Sequence, residues 1–232
     1  MPVVGDLAPV LLKRLDDRFA ASRDPERAAG MRAYMRDQFP YAGLPAPALR
    51  AVERDVFAGL PSPSVSDLGE VSLECWSRDE REYQYVAVDY LRKHVRAADA
   101  PFIEVARTLI TTKPWWDTVD ALATRFVGDL VRRHPSLLAM MDAWSAESDM
   151  WLVRTAILHQ LHYGTATDAS RLFGYCSRQA GHTDFFVRKA IGWALRHYAR
   201  TDPDAVREFV AANTSRLSPL SVREATKHLR SE

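Results

Sequence analysis

The chain has little cysteine: Cys75 and Cys176 are the two among its 232 residues. A pair so isolated supports neither a disulfide framework nor a zinc site, and it fits a reducing, cytoplasmic setting. Glycine is scarce too, at 10 residues, which excludes collagen-like repeats. No apolar run approaches the roughly 18 to 20 residues of a membrane helix, so no membrane association is expected. The opening stretch MPVVGDLAPVLLKRLDD is broken by Asp6 and Pro9 and carries no small-residue cleavage pattern, so no secretory signal is expected. Most catalytic signatures are also missing. There is no phosphate-cradling glycine loop, no Gly-X-Ser-X-Gly elbow, no His-Glu-X-X-His and no Cys-X-X-Cys.

What is present is an ordinary globular composition, 47% hydrophobic and 26% charged, which excludes a disordered chain. The net charge of +1 argues against a polyanion partner only until its distribution is read. Residues 150–232 hold 12 Lys and Arg against 7 Asp and Glu, whereas residues 1–149 hold 19 against 23. A neutral total therefore leaves room for a basic face and a nucleic-acid partner.

Helical spacing dominates. Pro9, Pro25, Pro47, Pro101, Pro114, Pro135 and Pro203 each stand where a helix would begin. Val187, Ile191, Ala194 and Tyr198 follow i, i+4, i+7, i+11, and Trp115, Val119, Leu122, Phe126 and Leu130 form a similar stripe. With no alternating strand run, the chain reads as all-α. It also repeats itself: Val153-Arg154-Thr155-Ala156-Ile157 aligns with Val187-Arg188-Lys189-Ala190-Ile191, and Asp120 and Gln84 continue the series upstream. A period of about 35 residues is the mark of an α-solenoid of stacked helix pairs, here one domain over residues 1–232. Gln84, Asp120, Arg154 and Arg188 would then form a polar ridge on successive inner helices.

Trp116 and Asp120 lie at i and i+4, putting a large aromatic beside a carboxylate, with Lys113 at the preceding boundary. Trp193 shares its row with Lys189, Arg196 and Arg200, a surface suited to a phosphate backbone or a flat base. Arg154 is a lone charge among apolar neighbours, either paired internally, with Asp120 across the repeat, or aimed at an anion. His159 and His162 read as a solvated pair rather than a metal site, and Glu80-Arg81-Glu82 as a solvated helix start. Trp76, Trp144 and Trp151 read as core, and Tyr34, between Met31 and Met35, reads by itself as core as well.

The stretches TKPWWDTVD (112–120), WLVRTAIL (151–158), FFVRKAIGWALRHYAR (185–200) and SPLSVREATKHL (218–229), with MRAYM (31–35) and EREYQYVAVDYL (80–91), resemble the AlkD-type DNA alkylation repair glycosylases over almost the whole chain. The resemblance implies a superhelix of HEAT-like repeats with a concave DNA-binding groove. It implies a monomer that hydrolyses the N-glycosidic bond of N3- and N7-alkylated purines in duplex DNA without base flipping, using no metal or organic cofactor. By motif position Asp120 matches the catalytic carboxylate, and Trp116 and Trp193 the aromatics flanking the lesion's sugar. Arg154 matches the DNA-contacting arginine and Tyr34 a tyrosine near the DNA, while Lys113, Arg188 and Lys189 join them as expected DNA contacts. Leu44-Pro45-Ala46-Pro47 departs from the family pattern, where a polar pair is expected. The alternative is a non-catalytic helical-repeat protein that binds branched or damaged DNA.

Overall fold

The computed structural model describes residues 7–229, and among these no residue is in a strand. α-Helices are joined by short turns, three-residue 3-10 segments and one π-helical stretch. The described residues divide between Val105 and Ala106 into two compact units.

In the first unit, α1 (Leu7–Ser22) packs on α3 (Ala46–Phe57) and α4 (Val65–Ser77), and α5 (Arg81–Lys93) packs on both α3 and α4. The cause is a stripe at i, i+4, i+8: Leu11, Leu15 and Phe19 of α1 are all sealed from solvent. Each such side chain contributes about 1.5–3 kcal/mol on burial. Ser64 and Asp67 close a reciprocal capping box at the start of α4, satisfying two otherwise orphaned amides. By contrast α2 (Pro25–Tyr34), with Asp24 as cap and Pro25 as its first residue, buries none of its residues.

The charged run at the start of α5 corrects the sequence reading. Arg81 and Glu82 are fully buried. The Glu82 carboxylate accepts the backbone N–H groups of Ala42, Gly43 and Leu44 at 3.0, 2.8 and 3.1 Å. The Arg81 guanidinium carbon lies 3.8 Å from the centroid of the Phe39 ring. Gly43 permits this turn: its φ is +96°, and an added Cβ would sit 2.1 Å from the Asp24 carbonyl oxygen. A charge run looks solvated in sequence because the backbone donors that bury it come from residues some forty positions away.

The second unit is built on a cap that recurs. Asp149, Asp168, Asp184 and Asp202 each accept first-turn amides, opening α10 (Met150–Leu158), α11 (Ala169–Arg178), α12 (Phe185–Tyr198) and α13 (Pro203–Asn213). Each cap is worth about 1 kcal/mol. α10 packs on α12, and α12 on α14 (Pro219–Thr226). Val153, Ala156 and Ile157 of α10 and their counterparts Val187, Ala190 and Ile191 of α12 are all buried, so the aligned apolar positions do the same work in both helices.

Val119, Leu122, Phe126 and Leu130 of the stripe led by Trp115 are buried as expected and Trp115 itself is half-buried, but the helix is not uniform. α7 (Trp116–Ala121) passes into a π-helical stretch, Leu122–Val127, before α8 (Gly128–Arg133) resumes. At Gly128 the chains nearly touch, since an added Cβ would lie 2.3 Å from the His159 carbonyl oxygen. Pro101 and Pro135 open 3-10 turns that lead into α6 (Ile103–Thr111) and α9 (Leu138–Trp144), rather than opening the α-helices themselves.

His159, one half of the histidine pair, is the second correction. His159 is fully buried, with Nδ1 2.7 Å from the Ala156 carbonyl oxygen and Tyr163 and Tyr175 around its ring. Burial lowers its pKa to about 4. His162, three residues on, is exposed as expected and packs edge-on to His197 at 5.5 Å. Three residues, falling where α10 ends, take the chain from core to surface. Trp76, Trp144 and Trp151 are core residues as expected.

Candidate functional site

The second unit brings together most of the residues singled out in the sequence. Lys113 adopts the left-handed region at φ +49°, unusual for a side-chain-bearing residue. It turns the chain through Pro114 into Trp115, whose extended backbone (φ −159°, ψ 159°) caps α7. Trp115 then points into an aromatic cluster, 6.1 Å from Trp151 and 5.2 Å from Phe186, with those two 5.1 Å apart. Trp116 begins α7 and stays partly exposed. Neighbouring tryptophans thus take opposite parts because one helical residue turns the side chain by about 100°.

Asp120, one turn beyond Trp116, is bound by Arg154 of α10. Nε meets Oδ1 at 2.6 Å and Nη2 meets Oδ2 at 2.8 Å, a bidentate pair. The remaining Arg154 nitrogen, Nη1, donates to the Phe186 carbonyl oxygen of α12. Arg154 is therefore paired internally, which decides between the two readings its sequence context left open. The Arg154 side chain is 4% exposed and that of Asp120 18%, so the carboxylate is the member of the pair that reaches solvent. Burial pushes the Asp120 carboxyl above its usual range, while the Arg154 guanidinium pulls in the opposite direction. Because a guanidinium does not lose its proton, its two N–H donors favour the ionised carboxylate between them.

α12 supplies the rest. Trp193 is partly exposed, and its row of cations is largely answered by one acid. Glu224 of α14 takes Lys189 at 2.8 Å and Arg196 at 2.6 Å. Arg188 does not extend the ion pair, because the ridge position before it holds Arg154 rather than an acid. Its Nε donates to the His182 carbonyl oxygen at 2.7 Å. Gln84, the first ridge position, is buried and donates to the Cys75 and Arg78 carbonyl oxygens, so it serves packing in its own unit. Tyr34 reverses its core reading: it is 73% exposed. Sequence reasoning missed the Phe186 carbonyl, for which no side-chain signal exists, and Glu224, a lone acid between Arg223 and Lys227.

Among the described residues no helix is long and apolar enough to cross a membrane, and no group of three or more His, Cys, Asp or Glu could hold a metal ion. The family model described as "DNA alkylation repair enzyme" matches residues 15–229. The chain is also similar to a solved structure described as a predicted DNA alkylation repair enzyme from Enterococcus faecalis. That likeness has a TM-score of 0.83 and 32% identity, covering 91% of this chain and 98% of the other. A comparison with curated proteins finds no match.

Proposed function

We propose, since this chain belongs to the family of DNA alkylation repair enzymes, that it is a DNA glycosylase hydrolysing the N-glycosidic bond of cationic N3- and N7-alkylated purines in duplex DNA without base flipping. The observation that carries this reading is the Asp120 carboxylate, held on both oxygens by Arg154 yet open to solvent, one helical turn from Trp116. Alkylation at N3 or N7 makes the base a cation and hence a good leaving group. Cleavage shifts that charge onto the sugar as an oxocarbenium-like ion, which is where a carboxylate helps.

The magnitudes are modest. A carboxylate about 5 Å from the sugar cation, at an effective dielectric near 20, contributes about 3 kcal/mol. The Arg154 guanidinium, about 4 Å further back, offsets about 1.8 kcal/mol of that by the same law. The net of about 1.5 kcal/mol is roughly one decade of rate. Asp120 therefore works largely through its free lone pairs, which orient and deprotonate the attacking water, a contribution of about two to four decades. Trp116 and Trp193 add about 0.5–2 kcal/mol each as cation–π faces. Such terms serve cationic lesions and serve neutral damage poorly.

Release of 7-methylguanine from methylated duplex DNA tests the reading. Wild-type protein is expected to release it, and Asp120→Asn to release far less with duplex binding intact. Absence of release by the wild type, with salt-dependent duplex binding retained, would replace the enzyme by a DNA-binding repeat protein. Because Asp120 titrates above an ordinary aspartate, release should fall on acidification at a pH higher than the usual carboxylate range.

A further inference from the structure

The first unit contains a cavity of about 550 Å³ beside the last turns of α3 and α5, built from residues that the excision chemistry does not use. Arg50 and Arg54 of α3 and Arg92 and Lys93 of α5 line it, and all four are exposed. Asp89 answers Arg92 at 3.0 Å. Among the described residues no carboxylate pairs with Arg50, Arg54 or Lys93, and Lys93 Nζ instead lies 5.2 Å from the centroid of the Phe57 ring. Three unanswered cations round one opening make a field that favours an anion.

Deeper in the same cavity lies Glu53, 7% exposed. Its Oε1 is buried with no hydrogen-bond partner among the described residues. An ionised acceptor left this way would be costly, and the neighbouring Asp89 carboxylate adds repulsion. Burial first, then the charge of Asp89 and a hydrogen bond shared with it, push Glu53 up to about 8, so at neutral pH it carries a proton and adds no negative charge to the cavity.

We propose that this cavity is a binding site for a phosphate group, with Arg50, Arg54 and Lys93 as its cations and the buried Glu53 carboxyl beneath them. The site stands independently of base excision. Its occupancy is linked to a proton: deprotonating Glu53 places a negative charge under the anion. The other groups facing Glu53 do not reproduce that dependence. From α1, Arg14 reaches only the Val56 and Ala58 carbonyls and Arg18 reaches Asp55. On α5, Asp89 is paired with Arg92 at 3.0 Å, and His94, whose pKa burial and Lys93 lower, stays neutral from pH 7 to 9.

Sulfate is the probe for calorimetric titration of the full chain, because its charge is constant between pH 7 and 9. Wild-type affinity should fall about tenfold over that range, the loss expected when a group of pKa near 8 goes from mostly protonated to mostly ionised. Glu53→Gln, neutral throughout, should bind as the wild type does at pH 7 and stay within about twofold at pH 9. The Arg54→Ala/Lys93→Ala double variant, altered only at exposed positions, should lose about tenfold or more at pH 7. Failure to bind sulfate, or binding indifferent to both variants, overturns the proposal and leaves the cations as caps on helix-end carbonyls. An unmodified duplex distinguishes the sources of phosphate. A parallel loss of duplex affinity in the double variant assigns the site to the DNA backbone, and unchanged duplex affinity assigns it to a free phosphorylated molecule.

Discussion

Two carboxylates, one in each unit, are withdrawn from water in opposite ways. Glu82 is fully buried and its oxygens are taken by three backbone amides of the turn around Gly43. Asp120 is held by a side chain, Arg154, and keeps 18% of its own side chain open. Backbone amides are fixed by the fold and consume the acceptor's capacity, so Glu82 is a rivet. A guanidinium binds from one edge and leaves lone pairs on the other, so Asp120 is oriented and still available. Function is to be sought at the second kind of carboxylate, and the contrast can be tested from both ends.

The largest effect is expected at Asp120→Asn. Base release should fall about a hundredfold or more, measured as 7-methylguanine freed per enzyme. The same change leaves a buried guanidinium facing a neutral amide, so stability should drop by about 3 kcal/mol in urea titrations. Glu82→Ala should show the reverse balance. Orphaning three buried amides at about 1–3 kcal/mol each should lower the urea midpoint severely, while any folded fraction releases base at the wild-type rate. If Glu82→Ala protein that is folded were inactive, the distinction between rivet and reagent would collapse.

His159 gives a third handle on what burial alone does to a titratable group. Its pKa is depressed to about 4, so its contribution is complete above the unfolded value near 6.5 and is lost as pH falls toward 4. About 3 kcal/mol should disappear across that window at 1.36 kcal/mol per unit. A Tm series from pH 7 to pH 4 measures it, and His159→Gln should flatten the series. The smallest effect belongs to Trp193→Ala. Losing one cation–π face of about 0.5–2 kcal/mol should slow excision by about 2- to 30-fold, with neutral lesions still processed poorly.

Much of this was legible in the residues themselves. The apolar stripes through Val187 and Trp115 foretold two buried helix faces, because period alone decides which side chains share a side. The 34-residue spacing between Asp120 and Arg154 anticipated their pairing as one of two options. Arg81 and Glu82 of the charged run were misread, and so was His159, whereas His162 is exposed as expected. Glu82 is buried by the amides of residues 42–44, about forty positions away, and His159 by Gly128 and Tyr175 together with Tyr163, one turn further on.

The sequence by itself determined the all-α class, the stripes and the family, since propensity, periodicity and motif order are local properties. Tertiary structure alone decided which charges are spent. Arg154 is fastened to Asp120 and the Phe186 carbonyl, and Glu224 takes both Lys189 and Arg196. Arg50, Arg54 and Lys93 are left around a buried Glu53. The reason is physical: a charge's strength depends on its distance to partners and on the water between them, and neither is written along the chain.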